Sequence, residues 1–202
     1  MKLILTLLGM VICLPFLFAH SPDLSSLMIY EQNGKVFLVI KSSIAAFEGE
    51  VHYHYGKDSY KTPQEFNELA INHFKKSCFV VINGDTIEFV NPQIQLGHET
   101  TLFAELDNVP NKITDYYVLN NVFKDMPNNQ CELILTHKNL PQKQFILTNE
   151  NNHEVTFNID KNNWVIEEHS NSMFTVQNII LGSCMMLAIF IAIELIRRKN
   201  IS

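Results

Sequence analysis

The feature that most restricts this chain is its C-terminal apolar run, FTVQNIILGSCMMLAIFIAIELIRRKN. Phe174 through Ile196 is 23 residues, long enough as a helix to cross a hydrocarbon core with some tilt. Arg197, Arg198 and Lys199 follow at once, and positive charge beside a span marks the cytoplasmic side. Glu194, the single acid of the run, lies within one turn of that cluster. It can pair with Arg198 at i,i+4 while reaching the interface. The opposite terminus has another pattern. MKLILTLLGMVICLPFLFA carries one charge at Lys2, a short apolar stretch, Pro15 and a small residue at Ala19, which is the layout of a secretory signal peptide. The expected organisation is a signal peptide over 1–19, an extracytoplasmic domain over 20–160 and a connector over 161–173. A single transmembrane helix over 174–196 and a cytoplasmic tail over 197–202 complete it. In cellular terms this is a single-pass protein of a bacterial inner membrane with a periplasmic domain.

Between the two apolar segments the chain reads mainly as strands. LSSLMIYEQ and KVFLVIKSS flank Asn33-Gly34, the strongest short hairpin signal. FVVI and TIEFV turn on Asn83-Gly84-Asp85, and PQIQLGH, TTLFAEL, DYYVLNNVF, CELILTH, QFILTNE and HEVTFNI continue the series. Short strands at this spacing predict a mainly β fold, an antiparallel Ig-like β-sandwich. One amphipathic helix interrupts it. TPQEFNELAINHFKKS opens with Thr62 as N-cap, Pro63 in the first turn and Glu65 completing a capping box, and Phe66, Leu69, Ala70 and Phe74 form its apolar stripe. Trp164, in the connector, is expected in the core, with an interfacial anchor as the alternative.

Charge narrows the partners. With Lys2 and the three tail residues set aside, 11 basic residues remain against 20 acids once Glu194 is removed, and none of the 11 is arginine. A balance of −9 without arginine excludes nucleic acid as a partner class and suits a cationic ligand. No G-x-S-x-G, H-E-x-x-H or glycine-rich phosphate loop occurs, so the sequence carries no enzyme signature. Of four cysteines, Cys13 falls in the signal segment and Cys184 in the span. Cys78 and Cys131 remain as a candidate disulfide in an oxidising compartment, with two buried free thiols as the alternative.

Histidine is the residue type that points to chemistry. If Val51-His52-Tyr53-His54-Tyr55 is a strand, His52 and His54 project from one face and can share a metal ion with a third ligand. On the alternative reading they are two solvated histidines on a sheet face. Cleavage after Ala19 would make His20 the mature N-terminus, with α-amine and imidazole side by side, a pair that favours Cu(II) or Ni(II). His20, His52 and His54 are therefore the candidate metal ligands. His73 is expected to pack against the sheet with a hydrogen-bond partner. His98 reads as a turn residue, and His137, His153 and His169 lie in polar turns.

A family likeness adds to this. A histidine at the mature start, an N-terminal hairpin, the helix pattern ELAINHF, an ING-turn hairpin, then NNVFKDMPNNQCELILTH and QFILTNE follow in order. This arrangement resembles the extracytoplasmic N-terminal domain of HupE/UreJ-type membrane proteins, nickel or cobalt permeases of hydrogenase and urease maturation. The resemblance covers residues 20 to about 160. The family continues into several spans where this chain has one, and its intramembrane metal residues have no counterpart here. The resemblance implies an accessory or sensor role beside a separate permease. The expected function is thus a membrane-tethered binding or accessory protein handling copper, nickel or cobalt for another membrane protein. The alternative is a metal-free interaction or assembly subunit.

Overall fold

The computed structural model describes residues 24–167. The signal segment, His20, His169, the span at 174–196 and the tail lie outside the described residues. Among the described residues no helix is long and apolar enough to cross a membrane.

Two sheets face each other. β1 (Leu24–Gln32) and β2 (Lys35–Ser43) form the first hairpin, and Asn33 and Gly34 take φ of 54° and 75° as a tight hairpin turn requires. Their alternation is strict: Leu27, Ile29, Leu38 and Ile40 are buried, while Met28, Tyr30, Phe37 and Val39 point outward. β5 (Phe89–Gln95) and β6 (Glu99–Leu106) extend this sheet on one side. β8 (Gln130–Thr136) and β9 (Lys143–Leu147) extend it on the other, giving the order β5-β6-β2-β1-β8-β9. The second sheet is β11-β10-β7-β3-β4, from β3 (Cys78–Ile82), β4 (Asp85–Thr86), β7 (Asp115–Asn120), β10 (Glu154–Asp160) and β11 (Asn163–Ile166). The mainly β, two-sheet architecture is as expected.

Several particulars differ from the sequence reading. β1 and β8 pair in parallel, so the first sheet is mixed rather than antiparallel throughout. The intervening hundred residues supply the long crossover that a parallel pair needs. The second hairpin shortens to the two residues of β4, after which the chain leaves that sheet and enters the other as β5. β11 lies inside the stretch expected to be a connector and buries Trp164, 5% exposed, against Tyr116 and Phe157. Its indole Nε1 donates to the Pro141 carbonyl at 2.7 Å. The domain therefore continues through Ile166.

Among the described residues two α-helices, not one, lie between β2 and β3. α2 (Pro63–Ser77) is the expected helix, with the Thr62–Glu65 capping box formed. α1 (Ile44–Tyr55) is the unexpected one: Ser43 caps it, its side chain accepting from the Ala46 amide at 3.2 Å, and Gly56 closes it at φ 93°. Phe47 and Val51 anchor α1 in the core, Phe47 meeting Phe123 edge-on at 4.9 Å. Phe66, Ala70, His73 and Phe74 anchor α2.

Candidate functional site

The helix over 44–55 changes what the two local histidines can do. On a strand His52 and His54 would share a face, but on α1 they diverge by about 200°. His52 stacks on Tyr60 with ring centroids 5.6 Å apart and planes 8° from parallel. His54 turns the other way, so the expected H-x-H pair is not a pair.

What His54 meets is set by helical spacing. Glu50 lies one turn earlier on the same face, and its Oε2 is 3.4 Å from His54 Nε2. His73, near the end of α2, brings its Nε2 to 3.8 Å from the same oxygen, and the two imidazole centroids are 4.5 Å apart. One ligand atom from each of Glu50, His54 and His73 lies within 4.8 Å of the others. The turn at 121–126 closes the group. Val122 offers its carbonyl to His73 Nε2 at 2.9 Å, and Asp125 Oδ2 is 3.0 Å from His54 Nε2. Ser77 Oγ lies 3.5 Å from the other His73 nitrogen, Nδ1.

Glu50 is the anomalous member. It occupies the buried stripe of α1 between Phe47 and Val51 and is 2% exposed, yet neither carboxylate oxygen has a hydrogen-bond partner among the protein groups. The Asp125 amide points toward the carboxylate and eases its charge, but outside hydrogen-bond geometry. Burial and the neighbouring Asp125 carboxylate push the Glu50 acid up to about 7, against the relief from that amide and Lys124. A buried carboxylate without hydrogen bonds is costly. Burial lowers the proton affinity of His73, against the raising effect of the Val122 carbonyl, and favours the neutral imidazole that metals require. Two imidazoles and a carboxylate are the donor set of a three-ligand divalent-metal site with an open position. His54 and Asp125 form its outer side, their side chains 32% and 25% exposed against 2% for Glu50.

The remaining expected residues fall elsewhere. Cys78 and Cys131, the candidate disulfide, are free thiols in the core. Asn120 Nδ2 donates to Cys131 Sγ at 3.1 Å, and burial pushes the Cys131 thiol up to about 11 and Cys78 higher still. Both are inert as ligands. His137 and His153 are buried rather than set in open turns, and His153 Nε2 lies 2.8 Å from Asn149 Oδ1. A cavity of about 1050 Å³ opens at the far end of the sandwich around Lys35, Asp107, Lys112 and His137. It shares no residue with the cluster.

Glu50, Asp125 and Val122 are the participants that sequence reasoning missed, and His73, expected to pack with a hydrogen-bond partner, was not among the candidate ligands. The only local signal was the i,i+4 spacing of Glu50 and His54, which has meaning only on a helix. No family model matches the chain, and no curated protein matches it.

Proposed function

We propose that this chain is a membrane-anchored extracytoplasmic accessory protein that holds a divalent transition-metal ion on Glu50, His54 and His73 and presents it to a membrane partner. The observation that carries this reading is the buried Glu50 carboxylate, without hydrogen bonds and facing two imidazoles. The metal supplies the positive charge the carboxylate lacks. Nitrogen and carboxylate donors without a thiolate suit Zn(II), Ni(II), Co(II) or Cu(II) rather than Cu(I). The resemblance to HupE/UreJ-type proteins supports nickel or cobalt as cargo. The terminal apolar segments support an anchored, extracytoplasmic placement.

The test is calorimetric titration of the detergent-solubilised full chain with nickel and zinc. Expected is one ion per chain, lost by at least about 100-fold in Glu50→Gln and His73→Ala and unchanged in His52→Ala. An extra residue before His20 leaves this binding intact if the cluster is the site, and abolishes it if the N-terminal amine is. Equal binding by the parent and Glu50→Gln would reject the cluster.

A second reading, a metal-free assembly subunit, is favoured by the outer face of the first sheet. Ile134, Met28, Val39 and Phe103 form one cross-strand row there, and Phe37 stacks on Phe103 at 5.3 Å. That row is only half-buried. This reading predicts that changes at Glu50 and His73 leave partner capture intact, whereas Phe103→Glu abolishes it.

A further inference from the structure

The two imidazole nitrogens that face Glu50 are already in use. His73 Nε2 donates its proton to the Val122 carbonyl at 2.9 Å, and His54 Nε2 faces Asp125 Oδ2 at 3.0 Å. Both acceptors belong to one short turn, 121–126. Other contacts hold that turn independently: the Asn121 amide donates to the Ser77 carbonyl at 2.8 Å, and Phe123 is buried against Phe47. Val122 is itself buried, its amide donates to Asn120 Oδ1 at 3.4 Å, and the Lys124 amide donates to the Asn121 carbonyl at 3.4 Å. What the ligand nitrogens hold is the Val122 carbonyl and the Asp125 carboxylate.

An imidazole nitrogen has one in-plane position, filled either by a proton or by a metal. An ion bound there sits about 2.0 Å out. A carbonyl oxygen 2.9 Å out in the same direction would be within about 1 Å of the ion, and the two cannot coexist. The same conflict holds for Asp125 Oδ2 at His54.

We propose that the 121–126 turn is a latch that competes with the ion, so that loading the Glu50–His54–His73 site releases the turn. This rests on the function proposed above and deepens it by naming how occupancy is signalled. In the metal-free protein His73 carries its proton on Nε2 and Ser77 Oγ–H can donate to Nδ1. On loading, Nε2 gives its lone pair to the ion, the Nε2 proton leaves to solvent, and Nδ1 takes one up and donates it to Ser77 Oγ. No net proton change occurs at this ring. His54 makes the same exchange between its Nε2 and Nδ1. The ion sheds water molecules as protein donors replace them. The released carboxylate of Asp125 then moves at the surface next to His54, whose ring meets the exposed Tyr53. A partner reading that surface can tell the loaded from the empty protein. The turn also gives the ion a route out, because Asp125 can return to His54 Nε2 as the ion leaves.

The probe is zinc, added to the full chain in detergent with ¹⁵N-labelled histidine. Ring-nitrogen spectra should show His73 moving from the Nε2–H to the Nδ1–H tautomer. Hydrogen exchange across 121–126 should quicken by about fivefold or more, while the α1 and α2 amides slow or stay unchanged. Zinc binding with His73 Nε2 still protonated overturns the latch. So does slower exchange across the turn, the outcome expected if Val122 or Asp125 becomes a ligand itself. The second result leaves the metal site standing, whereas the first also removes His73 Nε2 from its ligands. If no zinc binds, the function reading falls and the latch falls with it.

Discussion

At the scale of single residues, Glu50 sets a trade between stability and binding. Its acid sits near 7 in the folded chain against 4.5 in a solvated one. Below pH 4.5 it is neutral in both states and costs nothing. Between pH 4.5 and 7 the unfolded chain ionises while the folded chain does not, so stability falls as pH rises and the full cost is present above 7. At 1.36 kcal/mol per unit this reaches up to about 3 kcal/mol. Metal-free Glu50→Gln should therefore exceed the parent by about 1–3 kcal/mol at pH 8 and match it near pH 4, by urea unfolding at both values. A difference that does not change with pH would show that the charge is not the cause. Zinc should restore the parent at pH 8 and do nothing for the variant, since the metal replaces the missing counter-charge.

At the scale of elements, α1 carries two of the three ligands, and its start depends on one hydroxyl. Ser43→Ala removes the acceptor for the Ala46 amide, and about 1 kcal/mol should be lost from the urea midpoint. The same change at Thr62 should cost about as much, because Glu65 depends on that capping box. Metal affinity should fall in Ser43→Ala more than in Thr62→Ala, since only α1 holds both Glu50 and His54. Equal losses of affinity would count against that. The two helices also show why part of the fold was legible and part was not. Thr62, Pro63 and Glu65 are local signals that name a helix whatever surrounds it, and Asn33-Gly34 does the same for a hairpin. Val51 to Tyr55 is rich in β-branched and aromatic residues with strand propensity, and Ser43 ends a strand as well as capping a helix. Packing of Phe47 and Val51 decides for helix, and that decision is tertiary. Read as a strand, the segment pairs His52 with His54 and hides Glu50. Read as a helix, it pairs Glu50 with His54 and sends His52 to Tyr60. His73 was legible as a buried residue with a partner. Its second role needs Glu50 beside it, and Val122 and Asp125 arrive from a turn some fifty residues further on.

At the scale of the whole molecule, closure of the sandwich depends on its last strand. β11 pairs only with β10, yet Trp164 fills the space between Tyr116 and Phe157 and ties the strand to Pro141 in the β8–β9 connection. Trp164→Ala should cost about 3–5 kcal/mol, and Trp164→Phe about 1 kcal/mol through loss of the indole donor. The same closure governs the thiols. Cys78 and Cys131 are 0% exposed on facing sheets, and both thiols are held protonated by burial. Oxidation needs a thiolate and a path for the oxidant, and the folded domain offers neither. The pair should then behave as a clock for global opening. A thiol reagent followed by peptide mass analysis should leave both residues unlabelled in the native chain and label both together in urea. In Trp164→Ala labelling should accelerate in proportion to the lost stability, because the opened population rises about tenfold for each 1.4 kcal/mol when opening and reclosing are fast relative to labelling. Labelling of Cys131 alone under native conditions would show instead that β8 opens locally. A disulfide-linked peptide from the native chain would show that the two sulfurs meet before the core closes.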